Sequence, residues 1–184
     1  MSTLIQLDYW LFFLINSEWV TPFFDSIMPF LRNKYVWLPI YIFIITWVIY
    51  SKNGRAKWVL LLNIISCIAI TDILCSQILK PFIARVRPCN ELAFIGDVME
   101  RVSCGYGLSF PSIHAANHFA LSIILIILFK PNTKIKVALM FWAFSISYAQ
   151  VYVGLHYPLD IIGGALVGTV MARLFGEWGS RTAG

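Results

Sequence analysis

Apolar stretches follow one another along nearly the whole chain, and the polar breaks between them are short. A first apolar region covers 9–31 and is split by Asn16, Ser17 and Glu18. Up to residue 15, with Asp8 set among aromatic and aliphatic residues, the pattern predicts a helix lying along a membrane interface. From 19 to 31 it predicts a segment that enters the bilayer, although that segment carries Asp25, Pro22 and Pro29. Clearer apolar runs follow at 36–50, 58–79, 111–129, 137–155 and 159–175, and Asp72 is the one charged residue inside 58–79. A spanning helix needs about 20 mostly apolar residues to cross a hydrocarbon core roughly 30 Å thick. The pattern therefore predicts an all-α, polytopic membrane helix bundle with about six transmembrane helices and an N-terminal interfacial helix. Residues 1–184 form a single membrane-embedded domain, with no internal repeat.

Composition agrees, since 59% hydrophobic and 12% charged residues leave too little polar surface for a soluble domain of this size. The net charge of +5 does not point to nucleic acid, because most Lys and Arg outside 80–101 lie at the ends of apolar runs, where they anchor helices and mark topology. On alternate sides of a six-span arrangement, Lys52, Arg55, Lys57, Lys130, Lys134, Lys136, Arg173 and Arg181 share one face. Arg32, Lys34, Lys80, Arg85, Arg87 and Arg101 share the other. The first, larger group marks the cytoplasmic face. The 80–110 loop and the turn at His156 then meet on the opposite face. The first 16 residues lack the basic start of a cleavable signal peptide. Cys67 and Cys75 sit in an apolar run, whereas Cys89 and Cys104 bracket the polar loop and have a disulfide open to them if that loop faces an oxidising compartment.

Three polar clusters carry candidate chemistry. Lys80, Arg85 and Arg87 place three cations beside an apolar run, costly unless an anion or the interface solvates them. Lysine offers a point charge and arginine a bidentate fork, which suits a phosphate clamp. Phe110-Pro111-Ser112-Ile113-His114 opens a span, with proline at a helix start and free backbone N–H groups behind it that favour an anion. His114 is a candidate general acid. In His156-Tyr157-Pro158-Leu159-Asp160, the carboxylate lies four residues beyond the imidazole, where it accepts from one ring nitrogen and leaves the other as a nucleophile. Each cluster also has a purely structural reading as anchor, helix start or cap.

Taken together, they resemble a known family. Lys80, six residues and Arg87-Pro88 match the first motif of the type 2 phosphatidic acid phosphatase superfamily. Pro111-Ser112-Ile113-His114 is similar to its second, PSGH, and residues 149–160, with Gln150, His156 and Asp160, to its third. The resemblance implies a lipid phosphatase that needs no metal or other cofactor. His156 forms a phosphohistidine, Asp160 orients its ring, and His114 protonates the leaving oxygen. Lys80, Arg87, Ser112, the N–H of Ile113 and Gln150 hold the phosphate. Ile113 stands where the family has glycine and Gln150 where it has arginine, so Gln150 keeps donors but loses charge; Arg85 is the sequence's candidate to compensate. The resemblance further implies a bacterial inner-membrane protein with its site on the periplasmic or outer face. Its partner is a lipid phosphate, with lipid A 1-phosphate or phosphatidylglycerol phosphate favoured and undecaprenyl diphosphate or phosphatidic acid as alternatives. Oligomeric state is left open.

Two readings compete. His114 with His118, and His156 with Asp160, repeat an i, i+4 spacing that could ligate zinc or iron in a metal-dependent hydrolase. That reading leaves Lys80 and Arg87 unexplained. Asp72 in mid-span could mark an ion path in a small transporter, or simply pair with Asn63, Ser76 or Asn117.

Overall fold

A computed structural model describes residues 3–51 and 53–182; Lys52, counted above among the topology-marking charges, lies outside them. The described residues hold helices and loops and no strand. The helices are α1 (Thr3–Phe13), α2 (Pro22–Leu31), α3 (Leu38–Ser51), α4 (Ala56–Ile73), α5 (Lys80–Ile83), α6 (Ile113–Phe129), α7 (Thr133–Tyr152) and α8 (Pro158–Thr182). A π-helical turn, Leu74–Leu79, joins α4 to α5 without a break, and another, Leu14–Glu18, extends α1. Among the described residues, three helical stretches are long and apolar enough to cross a membrane: Ala56–Ile83, Thr133–Tyr152 and Pro158–Arg181. With α3 and α6 as shorter apolar helices, they make this an integral membrane protein.

Local chemistry sets the helix starts. Thr21 caps α2 by accepting from the Phe24 N–H at 3.2 Å, with Pro22 following at a position that needs no donor. Asn132 caps α7 in the same way through the Ile135 N–H.

The bundle closes most tightly between α6 and α8. A side-chain carbon on Gly164 would collide with the Ser112 carbonyl, and one on Gly168 with the Ala116 carbonyl. Small residues four apart let two membrane helices approach backbone to backbone. That approach carries the start of α8 to the start of α6. A second layer of Val48, Leu60, Ile64, Ile124, Leu125 and Met171 fills the end of the bundle away from these starts.

The expected first span over 19–31 forms a helix too short to count among the candidate crossings. Helix α2 has ten residues, about 15 Å of helix, half of what a bilayer core requires. Ile15, Val20, Phe24 and Leu31 all pack on one cluster at the end of α7, built from Ala149, Tyr152, Val153 and Leu155. One face of this segment packs on protein while Trp19, Phe23 and Phe30 stay exposed, and the packed face lays α2 across the end of α7. Asn16 fixes the turn before it, donating to the Met99 and Tyr152 carbonyls at 3.0 and 2.9 Å. Arg101 pairs with Asp25 at 2.5 Å on the same face.

Cys89 and Cys104 form a disulfide in the loop between α5 and α6, and Cys67 and Cys75 are free and buried.

Candidate active site

The three clusters converge on one end of the bundle. His156 and Asp160 sit in the turn between α7 and α8, where Pro158 starts the new helix. The turn is fixed by its own backbone: the Gln150 carbonyl accepts from the N–H groups of both Leu155 and His156. Asp160 is fully buried, and its Oδ2 accepts from the Tyr157 N–H at 2.8 Å. The Ser112 N–H donates to the Asp160 carbonyl at 3.0 Å, which ties the second cluster to the third.

His156 is oriented through an intermediary. Its Nδ1 lies 3.5 Å from Asp160 Oδ2 and 3.3 Å from the Ser109 hydroxyl, which itself donates to Asp160 Oδ2 at 2.5 Å. The chain runs from Nδ1–H to Ser109 to Asp160 and leaves Nε2 without a bond to any described residue. Burial pushes the His156 imidazole below its ordinary pKa despite the opposing pull of Asp160, so the neutral, nucleophilic form prevails at neutral pH. Ser109 lies outside the expected set; its position next to Phe110-Pro111-Ser112 is the one hint the sequence offers.

Asp160 is held from its other side as well. Arg85 donates to Asp160 Oδ1 at 2.9 Å and to Asp8 Oδ2 at 2.5 Å, and its guanidinium stacks 3.9 Å from the Tyr157 ring centre. Asp8 of α1 closes the array by accepting from the Leu159 N–H at 2.8 Å. Burial opposes the Arg85 charge, yet Asp160 and Asp8 together hold its pKa above the usual arginine value. Burial likewise lifts the Asp8 carboxyl, against the pull of Arg85 and the Leu159 N–H. Arg85 therefore reaches the site, but both its terminal nitrogens are engaged.

The other cations behave differently. A π-helical turn precedes Lys80 and re-aims it inward; such turns recur at functional sites. Lys80 is buried and donates to the Leu108 carbonyl and, at 3.0 Å, to that of Ser109. Arg87 donates to the Cys104 carbonyl at 2.9 Å, while its buried Nε–H has no partner among the described residues. Both lie within electrostatic reach of His156, as His114 does of His156 and Arg87. Ser112 caps α6 ahead of Ile113 and His114, accepting from the Ala115 N–H at 3.5 Å. Gln150 is fully buried beside the turn, and neither end of its amide has a partner among the described residues.

Asp72 and His118, two further polar residues of the span interior, are paired. Asn117 donates to Asp72 at 2.9 Å, one of the pairings expected for that carboxylate. His118 bonds the His114 carbonyl through Nδ1 and Tyr41 through Nε2, each at 2.8 Å, which occupies both its nitrogens. Among the described residues, no three His, Cys, Asp or Glu side chains converge as metal ligands would. A largely apolar cleft of about 610 Å³ opens between α3, α4 and α6, with His114 on its wall.

Comparisons with known proteins agree with this geometry. Residues 58–182 match the PAP2 superfamily. The chain is 35% identical over 160 residues to a Bacteroides thetaiotaomicron protein named lipid A 4′-phosphatase, covering 86% of this chain and 68% of that one. It is 27% identical over 169 residues to an undecaprenyl-diphosphatase of Sulfolobus acidocaldarius, covering 89% and 74%. The crystal structure of LpxE from Aquifex aeolicus superposes with a TM-score of 0.69 at 26% identity, over 93% of this chain and 95% of that one. With the motifs gathered at one end of an all-helical membrane bundle and residues 58–182 matching as a block, the chain belongs to the PAP2 superfamily and is an enzyme of its lipid-phosphatase class.

Proposed function

We propose that this protein removes a phosphate monoester from the headgroup of a lipid A-type glycolipid through a phosphohistidine on His156. The observation that carries the reading is the His156–Ser109–Asp160 chain, which fixes Nδ1 and frees Nε2 beside a group of buried cations. Nε2 attacks phosphorus, the bond from phosphorus to the lipid oxygen breaks, and His114 gives its proton to that oxygen. Water, giving a proton back to His114, then attacks the phosphohistidine; the bond from phosphorus to Nε2 breaks, orthophosphate leaves and both imidazoles return to their starting states. Lys80, Arg87, Ser112 and the free N–H of Ile113 hold the equatorial oxygens, with Gln150 behind them. Charge building in the transition state is met by fixed cations and a helix start, so the step needs no metal.

Similarity to the Bacteroides lipid A 4′-phosphatase supports the glycolipid and favours the 4′ position over the 1 position. The apolar cleft beside His114 supports a substrate that keeps its chains in the membrane. For the membrane arrangement, we take α3, α4 continuing into α5, α6, α7 and α8 as the crossings, with α1 at the interface and α2 half-inserted. The Cys89–Cys104 disulfide on the face of the site supports a periplasmic orientation in a bacterial inner membrane. The similarity to an undecaprenyl-diphosphatase gives a second substrate reading.

Phosphate release from purified protein decides between these substrates. Lipid A bearing a 4′-phosphate, lipid A bearing a 1-phosphate, phosphatidylglycerol phosphate and undecaprenyl diphosphate are presented in matched detergent micelles. The highest kcat/KM is expected on the 4′-phosphate. Preference for undecaprenyl diphosphate would replace the glycolipid reading.

A further inference from the structure

Position 150 leaves the phosphate grip one charge short of the family's third motif, and the charge of Arg85 is already matched by two buried carboxylates, Asp8 and Asp160. A different cation lies on the same face. Arg32 ends α2, and the residues just before it, Met28 and Leu31, pack on the cluster that contains Ala149, the neighbour of Gln150. The guanidinium of Arg32 has no carboxylate partner among the described residues, and its Nε–H is buried without a hydrogen bond. An anchoring arginine would snorkel its head group to water; this one keeps a donor inside. Buried cations without a counter-ion are costly, and the cost is removed when an anion binds between them.

We propose that Arg32 is a phosphate-binding residue of this enzyme, supplying from the turn after α2 the positive charge that Gln150 lacks; the assignment rests on the phosphatase reading above. Arg87, whose Nε–H is also buried and unpartnered, is its neighbour in the grip. Burial lowers the Arg32 pKa, and the nearby Arg87 charge lowers it further, as expected for two guanidiniums facing a common anion site. Arg32 is also within electrostatic reach of His114, the proposed acid. The family match begins at residue 58, so Arg32 lies in the part of the chain outside it. The arginine lost from α7 is thereby replaced from a different element.

The test uses detergent-solubilised full-length protein and two probes of the same site, turnover of a lipid phosphate and binding of orthovanadate or inorganic phosphate. Arg32→Gln is expected to lower kcat/KM and to weaken orthovanadate binding in parallel, each by about 10- to 100-fold, the range for one charge-assisted hydrogen bond. Arg32→Lys, which keeps the charge but not the fork, is expected to lose less than Arg32→Gln on both probes. Unchanged turnover and vanadate affinity in Arg32→Gln would overturn the assignment. So would a loss of turnover with vanadate affinity intact, which would mark a purely structural role, and so would equal losses in the Gln and Lys variants. If the unsubstituted protein releases phosphate from no lipid, the phosphatase reading falls. Calorimetric binding of inorganic phosphate to Arg32→Gln and to the unsubstituted protein then still decides whether Arg32 binds an oxyanion.

Discussion

The two halves of the site differ in how their hydrogen-bonding capacity is used. Around the nucleophile nearly every donor and acceptor is engaged: His156 Nδ1 with Ser109, Ser109 with Asp160, Asp160 with Arg85 and the Tyr157 N–H, Arg85 with Asp8, and Asp8 with the Leu159 N–H. Across from it, Arg87 Nε, Arg32 Nε and both ends of the Gln150 amide are buried without a partner among the described residues, whereas the closed half leaves only the Tyr157 hydroxyl so. Buried polar groups in folded proteins are nearly always satisfied, so a concentration of orphans needs a cause. On the proposed mechanism the closed half fixes a reacting atom whose direction must not change. The open half would keep donors for an oxyanion that arrives and leaves with each turnover. Pre-organisation therefore means saturation on one side and deliberate vacancy of bonds on the other.

The most severe way to break the comparison is to remove the atom that the closed half aims. His156→Ala is expected to lower kcat by at least ~10⁴-fold, as loss of a covalent nucleophile does in other enzymes. The helical circular dichroism and the vanadate affinity supplied by the open half should remain. Turnover near the unsubstituted rate would falsify the phosphohistidine mechanism.

Next in size is the keystone of the closed half. Arg85→Gln leaves Asp8 and Asp160, whose side chains are 0% exposed, facing each other without a cation. Breaking a buried ion pair from one side costs about 3–5 kcal/mol. Thermal unfolding in detergent should show a clearly lowered midpoint, and Asp8→Asn combined with Arg85→Gln should recover part of it by removing one of the stranded charges. An unchanged midpoint in Arg85→Gln would show that the array is ornamental.

How far the sequence reveals this division depends on range. The motif residues Lys80, Arg87, Ser112, His114, His156 and Asp160 could be picked out as candidates because they cluster where apolar runs begin or break off. The long apolar runs likewise predicted apolar helices such as α4, α7 and α8, since a 3.6-residue helix in lipid has few alternatives. What stayed hidden depends on contacts between distant segments. Asp8 reads as an interfacial charge, yet it is 151 residues from the Leu159 N–H it accepts. Arg32 reads as a topology marker until α2 is seen lying across the end of α7. The same packing bears on the expected first span: Phe24 and Leu31 are as apolar as lipid-facing residues, and only the cluster around Tyr152 shows that they pack partly on protein, while Phe23 and Phe30 stay exposed. Arg85 was expected to reinforce the phosphate grip and instead belongs to the opposite half.

The smallest expected effect separates the halves by pH. The closed half buries His156 so that its imidazole titrates below the ordinary value of 6.5. The folded protein therefore keeps Nε2 unprotonated at pH values where an exposed histidine has begun to charge. The acid limb of kcat/KM, which reports the free enzyme, should have its midpoint below pH 6.5. The stability linkage has the same window with a definite sign. An unfolded chain binds this proton near 6.5 and the folded one only at lower pH, so the contribution is complete above 6.5 and is lost as pH falls from there toward the folded value. Vanadate affinity, which depends on the cations of the open half, should not follow that limb. A rate already halved at or above pH 7 would mean that the imidazole is stabilised in its charged form, and that Ser109 and Asp160 hold a proton on the ring instead of freeing a nucleophile.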